Sequence, residues 1–392
     1  MRKILMLTSR LPYPPISGAT LKNYNLLKIL SKYYEVHLVT VTNEKMDDET
    51  KKILEKYTTS CKVFKKSKKD FIFSASKTLF NNEPLQVNYF YFQDVQNYID
   101  NISKDMDLII ATLIRTSKYV LNKDKLKIFD MADSIGQNYK NSIANVKSFF
   151  WKIIYKFEIH RLLRYEKETI EKYDKTFLFN RQEIQYFNIP SKIKFIPHGV
   201  NEDLLNYTLY NESYKNCIAF FGKMDYQPNI DAVLWFVENV IEKLDNKLTF
   251  LIIGATPKKQ VIELSQKHKN VKVTGFLENP YEILNSCLCI VAPMQTGAGI
   301  QNKILETMAL GTINIISTLA ATPIGAKDRK DYIVLDEPSA LANQINTIAQ
   351  DNNSFNFYKE NSREFIKNNF TWSIYEEVYI DTIEEIINDN KK

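Results

Sequence analysis

Two charged residues placed three apart behind a glycine turn, Lys303 and Glu306 after Gly297-Ala298-Gly299, offer the clearest chemistry in this sequence. At that spacing they share one face of a helix, so a cation and a carboxylate look out together beside the turn. A glycine turn between a strand and a helix presents backbone N–H groups at the positive end of the helix, where a diphosphate is held most easily. The pair therefore reads as a phosphate binder next to a hydroxyl binder. The alternative is an ordinary strand–helix junction with a surface salt bridge. The whole stretch, Val291 to Gly311, is VAPMQTGAGIQNKILETMALG; Ile290, Val291 and Ala292 form its strand, while Ile304, Leu305, Met308 and Ala309 give the helix its apolar face.

Other candidates lie in the first half of the chain. Gly18 opens a helix after the first strand, either as a phosphate approach point or as a simple turn glycine. Asp130 and Asp133 follow an apolar strand, where open α/β sheets place ligand groups; Asp133 also reads as a helix cap or turn residue. No G-x-G-x-x-G occurs, which disfavours a dinucleotide site. From Val146 to Ile170, Lys152, Lys156, His160 and Arg164 recur every fourth residue beside Phe150, Trp151, Ile153, Ile154 and Phe157. That is the form of a helix lying on an anionic membrane face, or of a large core helix with a solvated edge.

The elements that must position these residues alternate. KILMLT, EVHLVTV, DLIIAT, KIFDM, KTFLFN and IKFIPHGV read as strands of a first sheet, with a further short strand around Cys61 to Phe64 and helices between. Gln86 to Ile102 reads as one helix, and Asn201 to Asn216, polar and aperiodic, reads as a linker. CIAFFG, LTFLIIG, VKVTG, CLCIVAPM and TINIIS then give five strands with intervening helices, including Ile230 to Ile241. Such alternation argues for parallel, doubly wound sheets. The chain finishes in helices, the last from Trp372 to Asp389.

With 392 residues, two domains are expected. Cys61, Cys217, Cys287 and Cys289 have neither disulfide-framework nor zinc spacing, so a reducing compartment is expected. The N-terminal apolar run is too short for a signal peptide, and no segment is long enough to span a bilayer. A formal charge of +6 is mild and does not call for nucleic acid; phosphate-bearing ligands or an anionic membrane face suit it equally. With only 10 glycines, each glycine motif carries more weight.

Six segments, LTSRLPYPPISGATLKNYNLLKIL, FDMADS, FIPHGVN, FFGKMDYQPNIDAVLWFVENVI, TGFLENPYEIL and APMQTGAGIQNKILETMALG, resemble the retaining, family-4-like glycosyltransferases (glycosyl transferases group 1). Within them the resemblance is to bacterial sugar transferases of exopolysaccharide and exosortase systems. It implies an α/β chain of GT-B architecture, with two Rossmann-like doubly wound parallel-sheet domains facing a cleft that closes around substrate. The domains would be 1–205 on the acceptor side and 206–371 on the donor side, with helix 372–389 packing back on the first.

The resemblance also implies roles. Glu306 corresponds to the second glutamate of the family's paired motif and would accept hydrogen bonds from the nucleotide ribose; the first glutamate falls at Ala298, a departure. Sugar contacts would then come from the backbone of Gly297, Ala298, Gly299 and Ile300, or from Gln301 and Asn302. Lys223, after Gly222, matches the cation that binds the donor diphosphate. A second family lysine aligns with Asn229, and Lys303 would replace it. Gly275, Phe276 and Leu277 would hold the base, Gly18 would touch phosphate, and Asp133 would act from the first domain. The implied reaction is hexosyl transfer with retention, without metal or other cofactor, to a saccharide or lipid-linked acceptor. It would occur in the cytoplasm, in part on the inner face of the membrane, and no nucleic acid would be involved. Two other readings remain: a nucleotide-sugar epimerase of the same fold, which has only His37, His160, His198 and His268 to draw on, and a degenerate, non-catalytic subunit. Donor nucleotide, sugar, acceptor and linkage have no code readable from spacing.

Overall fold

The computed structural model describes residues 1–143, 148–297 and 299–390. The chain forms two compact units, Met1–Ile196 with Tyr375–Lys392, and Pro197–Ile374. Among the described residues the first unit holds seven strands: β1 (Lys3–Thr8), β2 (Glu35–Thr42), β3 (Ser60–Lys65), β4 (Leu108–Thr112), β5 (Lys127–Ala132), β6 (Lys175–Leu178) and β7 (Ile193–Phe195). They pair in parallel in the order β3-β2-β1-β4-β5-β6-β7. The central strands are covered on both faces and so are mostly apolar: every residue of β4 and β5 is buried, Thr112, Lys127 and Asp130 included.

The second unit holds β8 (Cys217–Phe221), β9 (Thr249–Ile253), β10 (Val271–Gly275), β11 (Cys289–Ala292), β12 (Asn314–Ile316) and β13 (Ile333–Val334). Their order is β10-β9-β8-β11-β12-β13, again parallel. This is six strands rather than the five read from sequence, because β13 is only two residues long and carries no periodic signal. From β8 the chain winds one way to β9 and β10, then returns to β11 on the other side. The loops after β8 and β11 therefore flank the point where winding reverses, the position where open α/β sheets bind ligands.

Three expectations change. Gln86–Ile102 is two helices, Leu85–Tyr89 and Gln93–Ile102, since the ring of Phe92 packs with Phe71 at 5.2 Å and its residue is extended at the start of the second helix. The stretch 201–216 is not a free linker: it lies inside the second unit, forms two 3-10 turns, and buries Leu204 in that unit's core. The helix predicted at Ile230 starts earlier, at Gln227, because Pro228 fits the first turn. For the cationic helix, Val146 lies outside the described residues, and the helix runs Phe149–Lys172. Its second half is core, with Leu162, Glu166, Thr169 and Ile170 fully buried, while Phe150, Trp151 and Phe157 in its first half are exposed.

In the first unit a buried ion pair ties helix to sheet. Lys22, on the helix Gly18–Tyr33, places its Nζ 2.7 Å from Asp130 Oδ2 on β5, and both side chains are almost fully buried. Tyr379, from the final helix, donates to the same oxygen at 3.5 Å and packs its ring 4.5 Å from Phe177. Glu384 and Glu376 of that helix accept from Arg2 and Tyr34, and from Lys32 and Tyr33. Asp130 is thus a packing residue rather than a ligand group. Replacing Lys22 with Met leaves a buried carboxylate without its counter-ion, so Lys22→Met is expected to cost about 3–5 kcal/mol in chemical denaturation, whereas Lys22→Met with Asp130→Leu recovers much of it. A single variant as stable as the parent would show that the pair holds nothing together.

Candidate functional site

The site in the second unit is assembled from the loops after β8, β10 and β11. Gly222 follows β8 and its N–H donates to Ile253 O at 2.9 Å. Only glycine fits here: a Cβ on Gly222 would stand 2.8 Å from Asn229 Nδ2, and one on Gly254 would stand 1.8 Å from the Gly222 carbonyl oxygen. This close approach brings the start of the helix Gln227–Asn239 beside the helix Asn302–Ala309. The second of these begins at Gln301 without a side-chain cap among the described residues, so its N-terminal dipole is offered to whatever sits in front.

Lys303 projects into that corner. Its Nζ donates to Asn229 Oδ1 at 2.5 Å and to Met294 Sδ at 3.4 Å, and lies 4.2 Å from the centre of the Phe220 ring. Asn229 in turn donates to the Lys223 carbonyl at 2.9 Å, which orients its oxygen toward Lys303. No carboxylate faces the ammonium, and removal from water pushes its pKa down to about 7. Glu306, one turn on, accepts from Tyr281 Oη at 3.5 Å; burial pushes its pKa up to about 7, the tyrosine bond acting in the opposite sense. Lys303 and Glu306 do not pair with each other, and the surface-salt-bridge reading of that spacing does not apply. Each is partly buried with its charge uncompensated, the condition of groups that acquire a partner from a ligand.

The remaining sequence candidates sort by position. Gly297, at φ +113, and Gly299, at φ +76, make the turn; Ala298 lies outside the described residues. Ile300 packs against the core, Gln301 starts the helix, and Asn302 Nδ2 lies 3.2 Å from His198 Nε2. Gly275 ends β10, Leu277 packs on the core, and Phe276 is 73% exposed with its ring uncovered. The Lys223 side chain is 58% exposed and pairs with Asp225 at 3.4 Å, so it stands apart from the Lys303 corner, to which it contributes its carbonyl. Asn229 and His198 were not singled out from sequence as site residues. From sequence the first reads only as the loss of a lysine, and the second only as one of four histidines open to the epimerase reading.

Gly18 and Asp133 belong to the first unit. Gly18 is the first residue of a helix capped by Ser17 and Thr20. Asp133 does not cap: Ser134 does, accepting from Gln137 N at 3.0 Å. Around that cap stand Glu183, which accepts from Ser134 N at 2.8 Å, and Glu166, which accepts from the Ser134 hydroxyl at 2.6 Å and Gly136 N at 3.1 Å. Burial raises the pKa of all three carboxyls, that of Glu166 to about 7; Asp133 and Glu166 raise Glu183 further, while Lys22 lowers Asp133. Asp133 Oδ1 is left without a partner. Among the described residues no group of three or more His, Cys, Asp or Glu side chains is placed to hold a metal ion.

Comparison with known proteins adds to this geometry. Residues 215–351 match the family model for Glycosyl transferases group 1, which covers the loops after β8, β10 and β11. Over 94% of its length the chain is 22% identical to an uncharacterized 44.6 kDa protein in the cps region of Klebsiella pneumoniae, of which it covers 97%. Its structure superposes on sucrose-phosphate synthase of Thermosynechococcus elongatus with a TM-score of 0.70 at 14% identity, over 99% of this chain and 100% of that one. On HepE of Anabaena, solved with UDP, the TM-score is 0.67 at 13% identity, over 98% and 100%. Fold and family match agree: the chain shares the two-unit GT-B fold of these structures, and its second unit carries a region that matches the glycosyl transferases group 1 family.

Proposed function

We propose that the enzyme transfers a hexose, with retention, from a nucleotide-diphosphate sugar to a saccharide or lipid-linked acceptor in the synthesis of a surface polysaccharide. The observation that carries this reading is Lys303, a partly buried ammonium with no carboxylate partner, at a glycine turn and an uncapped helix start, one turn before Glu306. A diphosphate supplies the missing anion, and Glu306 accepts from the ribose hydroxyls. Exposed Phe276 gives the base a ring to stack on. HepE, solved with UDP and with UDP-glucose, and the relative from a cps region favour the same donor class and the polysaccharide setting.

In this reading the bond from the anomeric carbon to the phosphate oxygen breaks as the acceptor oxygen attacks from the same face. The acceptor's proton passes to the departing phosphate oxygen. Products are the lengthened glycan and a nucleoside diphosphate. Charge grows on the phosphate oxygens during this step, and Lys303 with the backbone N–H groups of the glycine turn stabilises it. Asp133 serves on the acceptor side, its unpartnered oxygen accepting a hydroxyl.

Contact with an anionic membrane is the second part of the proposal, and it rests on exposed apolar side chains flanked by cations. Phe150, Trp151, Ile153 and Phe157 project from the start of one helix beside exposed Lys152 and Lys156. Phe73, Leu79 and Phe80, the last 90% exposed, lie on the segment leading to Asn82 and Leu85, which bond Arg164 and Glu158 of that same helix. Aromatic rings among lysines suit an anionic bilayer interface, and a lipid-linked acceptor would be met there.

Glu306→Ala and Lys303→Met are each expected to abolish transfer from nucleotide sugar while leaving the fold intact; full activity in both would sink the reading. A pH effect follows from Lys303. Free, with its pKa near 7, it is mostly neutral at pH 8; a bound diphosphate favours the charged form and raises that pKa, so binding takes up close to one proton. Glu306 is already largely ionised at pH 8 and releases little. Titration calorimetry with UDP or GDP in buffers of different ionisation enthalpy should show this uptake in the parent and not in Lys303→Met. Equal uptake in both assigns the proton elsewhere. For the membrane, flotation with phosphatidylglycerol vesicles should fall sharply for Phe150→Ser with Phe157→Ser and for Lys152→Glu with Lys156→Glu; unchanged flotation in both pairs rejects the contact.

A further inference from the structure

The second unit has a cavity of about 320 Å³ at the edge of its sheet opposite the donor loops. Cys287 precedes β11, and Gly311 and Thr312 precede β12, so the cavity opens at the amino ends of these strands. The Lys303 corner lies past their carboxyl ends. Tyr207 and Tyr210 also line the cavity, and two cations reach it from the helix Asn356–Asn369. These are Lys359 and Arg363, four residues apart and therefore on one face.

The cations are what need explaining. Among the described residues neither is in an ion pair with a carboxylate, and Lys359 lies close enough to Arg363 for the two to repel. Burial lowers the pKa of both; Glu360 offsets part of this for Arg363, whereas for Lys359 the neighbouring Arg363 adds to it. One guanidinium nitrogen, Nη2, donates to the Leu310 carbonyl at 2.6 Å, but the Arg363 Nε is shut off from solvent with no acceptor. Gly311 makes room for the guanidinium, since a Cβ there would stand 2.5 Å from that Nε. Two like charges and an orphaned donor at a cavity lined by tyrosines and a threonine call for an anion with a flat or ring-shaped body. The Cys287 thiol on the wall stays neutral, because burial pushes its pKa up, so it adds no competing charge.

The geometry points to a second binding site here for a small phosphate-bearing molecule, with Lys359 and Arg363 on the phosphate and Tyr207 or Tyr210 against its body. Its volume matches the low end of small-molecule pockets, enough for a monophosphate on one ring and too little for a nucleotide sugar. The site stands at the far end of the helix that carries Lys303 and Glu306: that helix is closed by Leu310, whose carbonyl Arg363 holds. An anion that draws Arg363 therefore acts on the donor helix from its C-terminal end.

Phenyl phosphate, titrated into the full chain by calorimetry, tests this independently of the donor assignment. It is expected to bind the parent and Lys303→Met alike, and to bind Lys359→Gln about ten- to a hundred-fold more weakly, the loss of one charge-assisted contact. Arg363→Gln also removes the bond to Leu310, so Lys359→Gln, which keeps it, is the deciding variant. No binding to the parent, loss of binding in Lys303→Met, or full binding in Lys359→Gln each overturns the site. A failed donor assignment would instead appear as absent nucleotide binding with phenyl phosphate binding intact.

Discussion

The contact on which the second unit's site depends is the hydrogen bond from Lys303 to Asn229. A lysine ammonium drawn out of water loses solvation that a single amide oxygen only partly restores, so burial lowers its pKa. The loops around it are arranged to maintain this. Gly222 and Gly254 approach so closely that neither tolerates a side chain, which puts Asn229 in reach. Asn229 is oriented by the Lys223 carbonyl, and the Phe220 ring closes the other side. The result is a preorganised cationic corner that costs stability in the empty protein and recovers it when an anion arrives. Such a trade is expected where binding energy is to be spent on a developing phosphate charge.

The first unit handles charge differently. Lys22 and Asp130 neutralise each other in the core, and the final helix seals the pair with Tyr379. A few residues further on, Asp133, Glu166 and Glu183 surround one helix cap with too few cations for all to ionise. Glu166 and Glu183 are occupied by backbone and hydroxyl donors, which leaves Asp133 as the carboxyl with spare capacity. The same residue type thus serves packing at 130 and remains available at 133, and only the neighbours distinguish them.

Much of the fold was legible from local pattern. Fully apolar runs such as Leu108–Thr112 and Cys289–Ala292 announce strands buried on both faces, and their alternation with helices announces parallel sheets. Elements without such a signal were missed or blurred: β13 is too short to have a period, and Phe90 to Phe92 interrupts a helix through packing rather than through proline or glycine. The stretch from Asn201 to Asn216 reads as a linker because its buried anchor, Leu204, and the partly buried Leu205, Tyr207 and Tyr214 follow no helix or strand period.

The sequence by itself determined the glycine turns, the lysine and the glutamate at helical spacing, because these are local facts of the chain; it did not single out Asn229 or Tyr281. Tertiary structure decided what each group does. Lys303 and Glu306 look like a salt bridge from their spacing, yet they point to different partners, Asn229 and Tyr281, contributed by helices distant in sequence. Lys223 and Lys303 look equivalent as cations, but one stays in solvent and the other is stripped of it. Solvation and charge pairing depend on the sum of surrounding atoms, and that sum exists only once the sheet has brought the loops after β8, β10 and β11 together.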